Sequence, residues 1–176
     1  FTPINLFLTS LLLMVNQIKL HNKELLCIIL IFWTGISVEF LGVNYGLLFG
    51  EYSYGKNLGP KFLGVPFLIG INWVILTVIS GSISNYILKG SKILSILLGS
   101  ILMLFIDFFI EPVAPMLDFW EFKNSIVPLS NYTGWLITGI FTQCLYQFLF
   151  KKKELMFSIN LYLAIFVFFL FLSFKF

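Results

Sequence analysis

Three sets of residues have types and spacings that could do chemistry. Glu39 stands late in an apolar run, and on a continuing helix Gly35, Gly42, Gly46 and Gly50 share its face, because steps of three and four return to one side. The result is a carboxylate on a groove of small residues. An ionisable group at membrane depth is costly and usually faces a cavity, a partner or a substrate, whereas the glycines alone serve close helix packing equally well. Asp107 and Glu111 lie four apart on one helix face, with Pro112 stopping the helix just behind them. Two like charges this close in a dry site do not both ionise, so one keeps its proton near neutral pH and becomes a donor. The structural alternative is an ion pair with Lys56, Lys61 or Lys123. Asp118-Phe119-Trp120-Glu121 follows in the same loop. Asn131, Trp135, Thr138 and Thr142 form a third stripe that offers donors and an aromatic plane without charge. Asn72 and Trp73 interrupt another apolar run, and a buried Asn72 needs a partner.

The elements that must position these residues are long apolar windows. A spanning helix needs about 20 predominantly apolar residues, and six windows qualify, roughly 1–15, 24–43, 63–88, 93–110, 133–150 and 155–174. The runs are continuous rather than alternating, which favours helices over a barrel. The expected fold is therefore all-α, a polytopic integral membrane bundle of about six transmembrane helices forming one domain over residues 1–176. The chain opens at Phe1 without a methionine and runs directly into Leu6-Phe7-Leu8, so an upstream segment is expected.

The loops between the windows differ in kind. Lys19–Lys23, Lys89–Lys92 and Lys151–Lys153 are short and basic, while 44–62 and 111–132 are long and carry Gly, Pro, Asn and carboxylates. With these windows, the short loops all fall at one membrane face and the long loops at the other. Excess lysine on the short-loop side marks it as cytoplasmic. Glu39, Glu51, Asp107, Glu111, Asp118 and Glu121 gather toward the opposite face.

Composition supports the membrane assignment and narrows the function. Hydrophobic residues make up 59% of the chain, charged residues 11%, and mean hydropathy is +0.99; a soluble domain of this size cannot hide that much apolar surface. All eleven basic residues are lysines, so the bidentate arginine clamps used on phosphate and nucleic acid are absent. Nucleic acid is excluded as a partner. Cys27 and Cys144 show no CxxC spacing, His21 stands alone among lysines, and the carboxylates lack the several aspartates and basic partners of a metal–diphosphate site. Neither a metal nor a redox cofactor is expected.

The order of motifs then becomes informative. Glu39-Phe-Leu-Gly42-Val-Asn-Tyr-Gly46, Gly50-Glu-Tyr52-Ser-Tyr54-Gly55, Leu58-Gly59, Gly64-Val65-Pro66, Asn72-Trp73, Asp107 to Glu111-Pro112, Asp118-Phe119-Trp120 and Asn131-Tyr132-Thr-Gly134-Trp135 together resemble the membrane carotenoid 1′,2′-hydratases of the CruF type. The likeness runs from Thr2-Pro3-Ile4-Asn5-Leu6 through Trp135, and its motifs are specific in combination. The resemblance implies an enzyme of carotenoid biosynthesis in a bacterial inner membrane. It would add water to the terminal double bond of an acyclic (psi) end group to give a tertiary hydroxyl, without a cofactor. Its partners would be the carotenoid, the lipid bilayer and other carotenoid-pathway membrane enzymes.

Such a reaction protonates one alkene carbon, forms a tertiary cation at the other, and captures it with water. It needs a protonated acid, a group that orients the water, and aromatic faces beside the cation. On this reading Asp107 or Glu111 is the acid, and Glu39 or Asp118 orients the water. Tyr52, Tyr54, Trp120 and Trp135 flank the cation, with Asn72, Trp73 and Asn131 also in the substrate site. The polyene would lie along the Gly35–Gly50 groove, over Gly42 and Gly46. Two alternatives stay open: a cyclase or prenyltransferase working through the same cation, and a small transporter, which would spread its acids through the bilayer depth.

Overall fold

The computed structural model describes residues 21–150 and 154–175, together with Leu8, Thr9 and Leu12. Its frame is five long helices: α1 (Asn22–Tyr45), α2 (Phe67–Ile87), α3 (Lys92–Ile110), α4 (Leu129–Leu149) and α5 (Leu155–Lys175). Among the described residues, α1, α2, α3 and α5 are long and apolar enough to cross a membrane. Two of the six expected crossings thus stand apart. Window 1–15 lies largely outside the described residues, and α4 is diluted by Ser130, Asn131, Thr133, Thr138, Thr142, Gln143 and Gln147.

Local chemistry sets the helix ends. Gly46 closes α1 in the left-handed region at φ 66°, its N–H donating to Gly42 O at 2.8 Å while Leu47 N–H reaches Leu41 O at 3.3 Å. This is a glycine-terminated helix end. Pro66 and Pro128 stand immediately before α2 and α4, where a missing N–H costs nothing. For this reason α2 begins four residues later than window 63–88, and α4 begins four residues earlier than window 133–150. Ser91 caps α3 by accepting from Leu94 N–H at 3.3 Å.

Helix α2 is the central post, packed by all four other helices, with Trp73, Ile75, Ile79 and Ser80 essentially without exposure. Helix α5 leans on α2 and α3 and leaves most of its surface outward, as a lipid-facing helix does.

The frame is mostly helical, as expected, but the long loops are not simply irregular and add short strands to it. Strand β1 (Tyr52–Tyr54) pairs antiparallel with β4 (Trp120–Phe122), joining the two long loops across the end of the bundle. Strands β2 (Lys61–Phe62) and β3 (Val65–Pro66) form a small hairpin turning through Leu63 and Gly64, both at positive φ. In the β1–β4 ladder Tyr52 faces Phe122, Ser53 faces Glu121 and Tyr54 faces Trp120. Side chains alternate along a strand. Four aromatic rings therefore share the face toward the helices, while Ser53 and Glu121 point out. The ladder is a lid of aromatic rings over one end of the bundle.

Candidate active site

Under that lid lies a cavity lined by Glu39, Asn72, Trp73, Glu111, Asn131 and Trp135, with Phe49, Ile69, Tyr52, Tyr54, Trp120 and Phe122 completing the wall. Helices α1, α2 and α4, the end of α3 and both strands of the lid contribute. Water-sized space within it is about 20 Å³, enough for roughly one water molecule.

Glu39 is 5% exposed and accepts from three donors. Trp73 Nε1–H donates to Oε1 at 2.9 Å, Tyr54 O–H donates to Oε2 at 2.6 Å, and Tyr52 O–H donates to the same oxygen. Burial first, and the Glu39 charge second, raise both tyrosine hydroxyls far above their ordinary range, so they remain protonated donors. Among the described residues no cation bonds to this carboxylate.

The second acid set is built on Asn131, at the start of α4. Its amide Nδ2 donates to Glu111 Oε1 at 2.7 Å and to Asp107 Oδ2 at 3.2 Å, and Trp120 Nε1–H donates to Glu111 Oε2 at 3.0 Å. Both Glu111 oxygens are thus occupied. Asp107 is fully buried and, among the described residues, its Oδ1 has no hydrogen-bond partner, an expensive state for a polar atom unless a proton, a water or a substrate uses it. Burial lifts the Glu111 carboxyl to about 7, helped by the nearby Glu39 charge and opposed by the Trp120 and Asn131 hydrogen bonds. The Glu111 carboxyl therefore holds its proton up to about neutral pH and gives it up above.

Aromatic surface fills the remainder. Trp73 and Trp135 stack at 4.3 Å between centroids and 17° between planes, and Tyr54 meets Trp120 edge-on at 6.2 Å. The sequence expectation that Glu39 and the Asp107/Glu111 turn share one end of the bundle is met, since Glu39 and Glu111 line one cavity and Asn131 ties Asp107 to Glu111. Among the described residues no lysine pairs with Asp107 or Glu111: Lys123 bridges Glu51, and Lys61 Nζ bonds Tyr54 O.

Three expectations change. The glycine groove is not open. A Cβ on Gly35 would lie 2.5 Å from the Trp73 ring, and one on Gly42 would lie 2.7 Å from the Tyr52 hydroxyl, so these glycines seat the rings that reach Glu39. Gly46 and Gly50 lie beyond the last residue of α1 and extend no groove. Asp118 is exposed and outside the cavity; its Oδ2 accepts from Lys56 N–H at 2.9 Å and fastens the lid loops together. Tyr52 and Tyr54 serve first as donors to Glu39. Sequence reading missed Phe49, Ile69 and Phe122 as wall residues, and only the alternation of Phe122 with Trp120 could have pointed to one of them.

A bundle of membrane-length apolar helices that buries Glu39, Asp107 and Glu111 at one end, two of them on the wall of an aromatic cavity, defines the class: a polytopic membrane protein with carboxylates gathered beside an internal space. The chain belongs to the family described as carotenoid biosynthesis protein, which it matches over residues 1–176. It is similar to bisanhydrobacterioruberin hydratase of Haloarcula japonica, at 32% identity over 126 residues, covering 67% of this chain and 43% of that protein. The chain thus spans less than half the length of that relative. No solved structure matches it.

Proposed function

We propose that this protein hydrates the terminal 1′,2′ double bond of an acyclic carotenoid end group, giving a tertiary alcohol. The observation that carries the reading is the three-carboxylate arrangement: Asp107 and Glu111 joined through Asn131, with Glu39 on the wall of the same aromatic cavity. Membership of a carotenoid biosynthesis family and likeness to a carotenoid hydratase support the broader reading.

In the proposed reaction the Asp107/Glu111 pair donates its proton to the 2′ carbon, leaving a tertiary cation at the 1′ carbon. The stacked Trp73 and Trp135 and the rings of Tyr54 and Trp120 stabilise that charge through their π faces. Water held near Glu39 attacks the cation, and the new C–O bond releases a proton that Glu39 accepts. Returning this proton to the Asp107/Glu111 pair closes the cycle, with one water consumed and no redox change. The wall rings must part to admit an end group, because the space as it stands holds only about one water. The basic short loops would face the cytoplasm of a bacterial inner membrane.

The test is pigment extraction and mass analysis from cells making lycopene or γ-carotene, with and without this chain. A hydroxylated product one water heavier supports the reading. If Asp107→Asn, Glu111→Gln and Glu39→Gln each leave that product at the unmutated level, the assignment of roles is wrong.

A further inference from the structure

The carboxylate cavity has a larger neighbour. An open cleft of about 710 Å³ lies on the outer side of the lid, and Tyr52 and Phe122 line both spaces. Asn44, Glu51, Ser53, Glu121, Lys123 and Asn124 supply polar lining to the cleft. Its Glu51–Lys123 pair is well exposed, at 64% and 66% of the side chains.

We infer that this cleft takes up water, the second substrate, and that the Tyr52–Phe122 ring pair passes it to Glu39. The inference rests on the hydratase reading for the need for water, and on separate geometry for the route. A space that holds about one water must be refilled after every turnover. A long apolar polyene gains nothing from a cleft edged with carboxylates and lysine, so the two substrates arrive by different ways. The wall between the spaces is one ring pair thick: Tyr52 and Phe122 are cross-strand partners with centroids 5.3 Å apart. Tyr52 donates its hydroxyl to Glu39 on the inner side while its ring stays half-buried toward the cleft. Gly42 has no side chain under that ring, where a Cβ would come within 2.8 Å of Cε1. Movement of one phenol therefore joins cleft and cavity at the carboxylate that is to activate the water.

Ser53 is exposed on the cleft side of the ladder and gives a handle for the test. Ser53→Cys protein in lipid nanodiscs is labelled with a bulky anionic methanethiosulfonate. The unmutated protein, whose Cys27 is buried and Cys144 half-buried, is treated identically as control. Two rates are followed: formation of hydroxylated carotenoid, and hydrogen exchange of the Trp73 indole N–H by nitrogen-edited NMR. Labelling is expected to slow both about tenfold or more relative to the same protein before labelling, and Phe122→Ala to speed the indole exchange by about tenfold. Unchanged rates after labelling overturn the route. Slowed indole exchange in a protein that makes no hydroxylated product upholds the route and overturns the hydratase reading instead.

Discussion

Two buried polar regions share this bundle and are held by different means. Between α2 and the later half of α4, Gln143 Nε2 donates to Thr77 O at 3.0 Å and to Met103 Sδ at 3.3 Å, Gln147 Nε2 donates to Gly81 O at 3.1 Å, and the hydroxyls of Tyr146 and Ser82 meet at 2.8 Å. Every side chain there is neutral, and the main acceptors are backbone carbonyls of the neighbouring helix. That is how membrane helices are glued together. At the lid end, Glu39, Asp107 and Glu111 are carboxylates, their partners are the side chains of tyrosine, tryptophan and asparagine, and Glu39 and Glu111 border a cavity. Burial of polar groups is common to both regions, so burial alone marks no active site. What separates them is charge-bearing groups beside space that a reactant can enter.

The comparison breaks first at the carboxylates. Asp107→Asn and Glu39→Gln are expected to cut hydroxylated product about 10²-fold or more, the usual scale of a lost acid or base, with folded protein retained on size-exclusion chromatography. Loss of product together with loss of fold would erase the distinction between the two regions.

A pH profile sharpens it next. Because burial raises the Glu111 carboxyl to about 7, its acid form persists below that value and disappears above it. The hydration rate should therefore fall as pH rises through about 7, by up to tenfold per unit for a single required proton. A rate that rises with pH over this range contradicts a carboxylic-acid donor.

Matched glycine substitutions come third. Gly42→Ala pushes on the Tyr52 ring and should lower product roughly tenfold at modest cost in stability, because Tyr52 leaves Glu39. Gly81→Ala brings a Cβ within 2.3 Å of the Tyr146 ring and should cost about 1–3 kcal/mol of stability by overpacking. Thermal melts in detergent, paired with product per folded molecule, separate the two effects. The smallest change belongs to Asp118→Asn. An amide oxygen still accepts from Lys56 N–H, and asparagine suits φ 53°, so product should stay within about twofold.

Much of this division was legible before the structure. Helices α1, α3 and α5 fall within about two residues of their windows because continuous apolar runs end at Gly46, Pro112 and the basic loop before Leu155. The gathering of acids at one end followed from loop alternation, and the β1–β4 pairing bears it out. The lid itself was hidden. Its strands are three residues long, too short for a periodic signal, and its register joins residues about 70 apart in the chain. Without that register, Tyr52 and Tyr54 cannot be aimed at Glu39, and Asp118 stands beside Glu39 as a candidate to orient the water although it is exposed outside the cavity. The glycine stripe leaves packing and groove equally open for a related reason: spacing shows that side chains are small, not which ring from α2 or the lid fills the gap.

The central claim, that a cation formed in this cavity is captured by water, is tested most directly by isotope. Cells supplied with an acyclic carotenoid and grown in ¹⁸O-enriched water are extracted, and the carotenoids are weighed by mass spectrometry with and without the chain. The expected product is one water heavier than its precursor and carries the heavy oxygen. An isomer of unchanged mass would mean that the cation closes into a ring instead, and would contradict water addition.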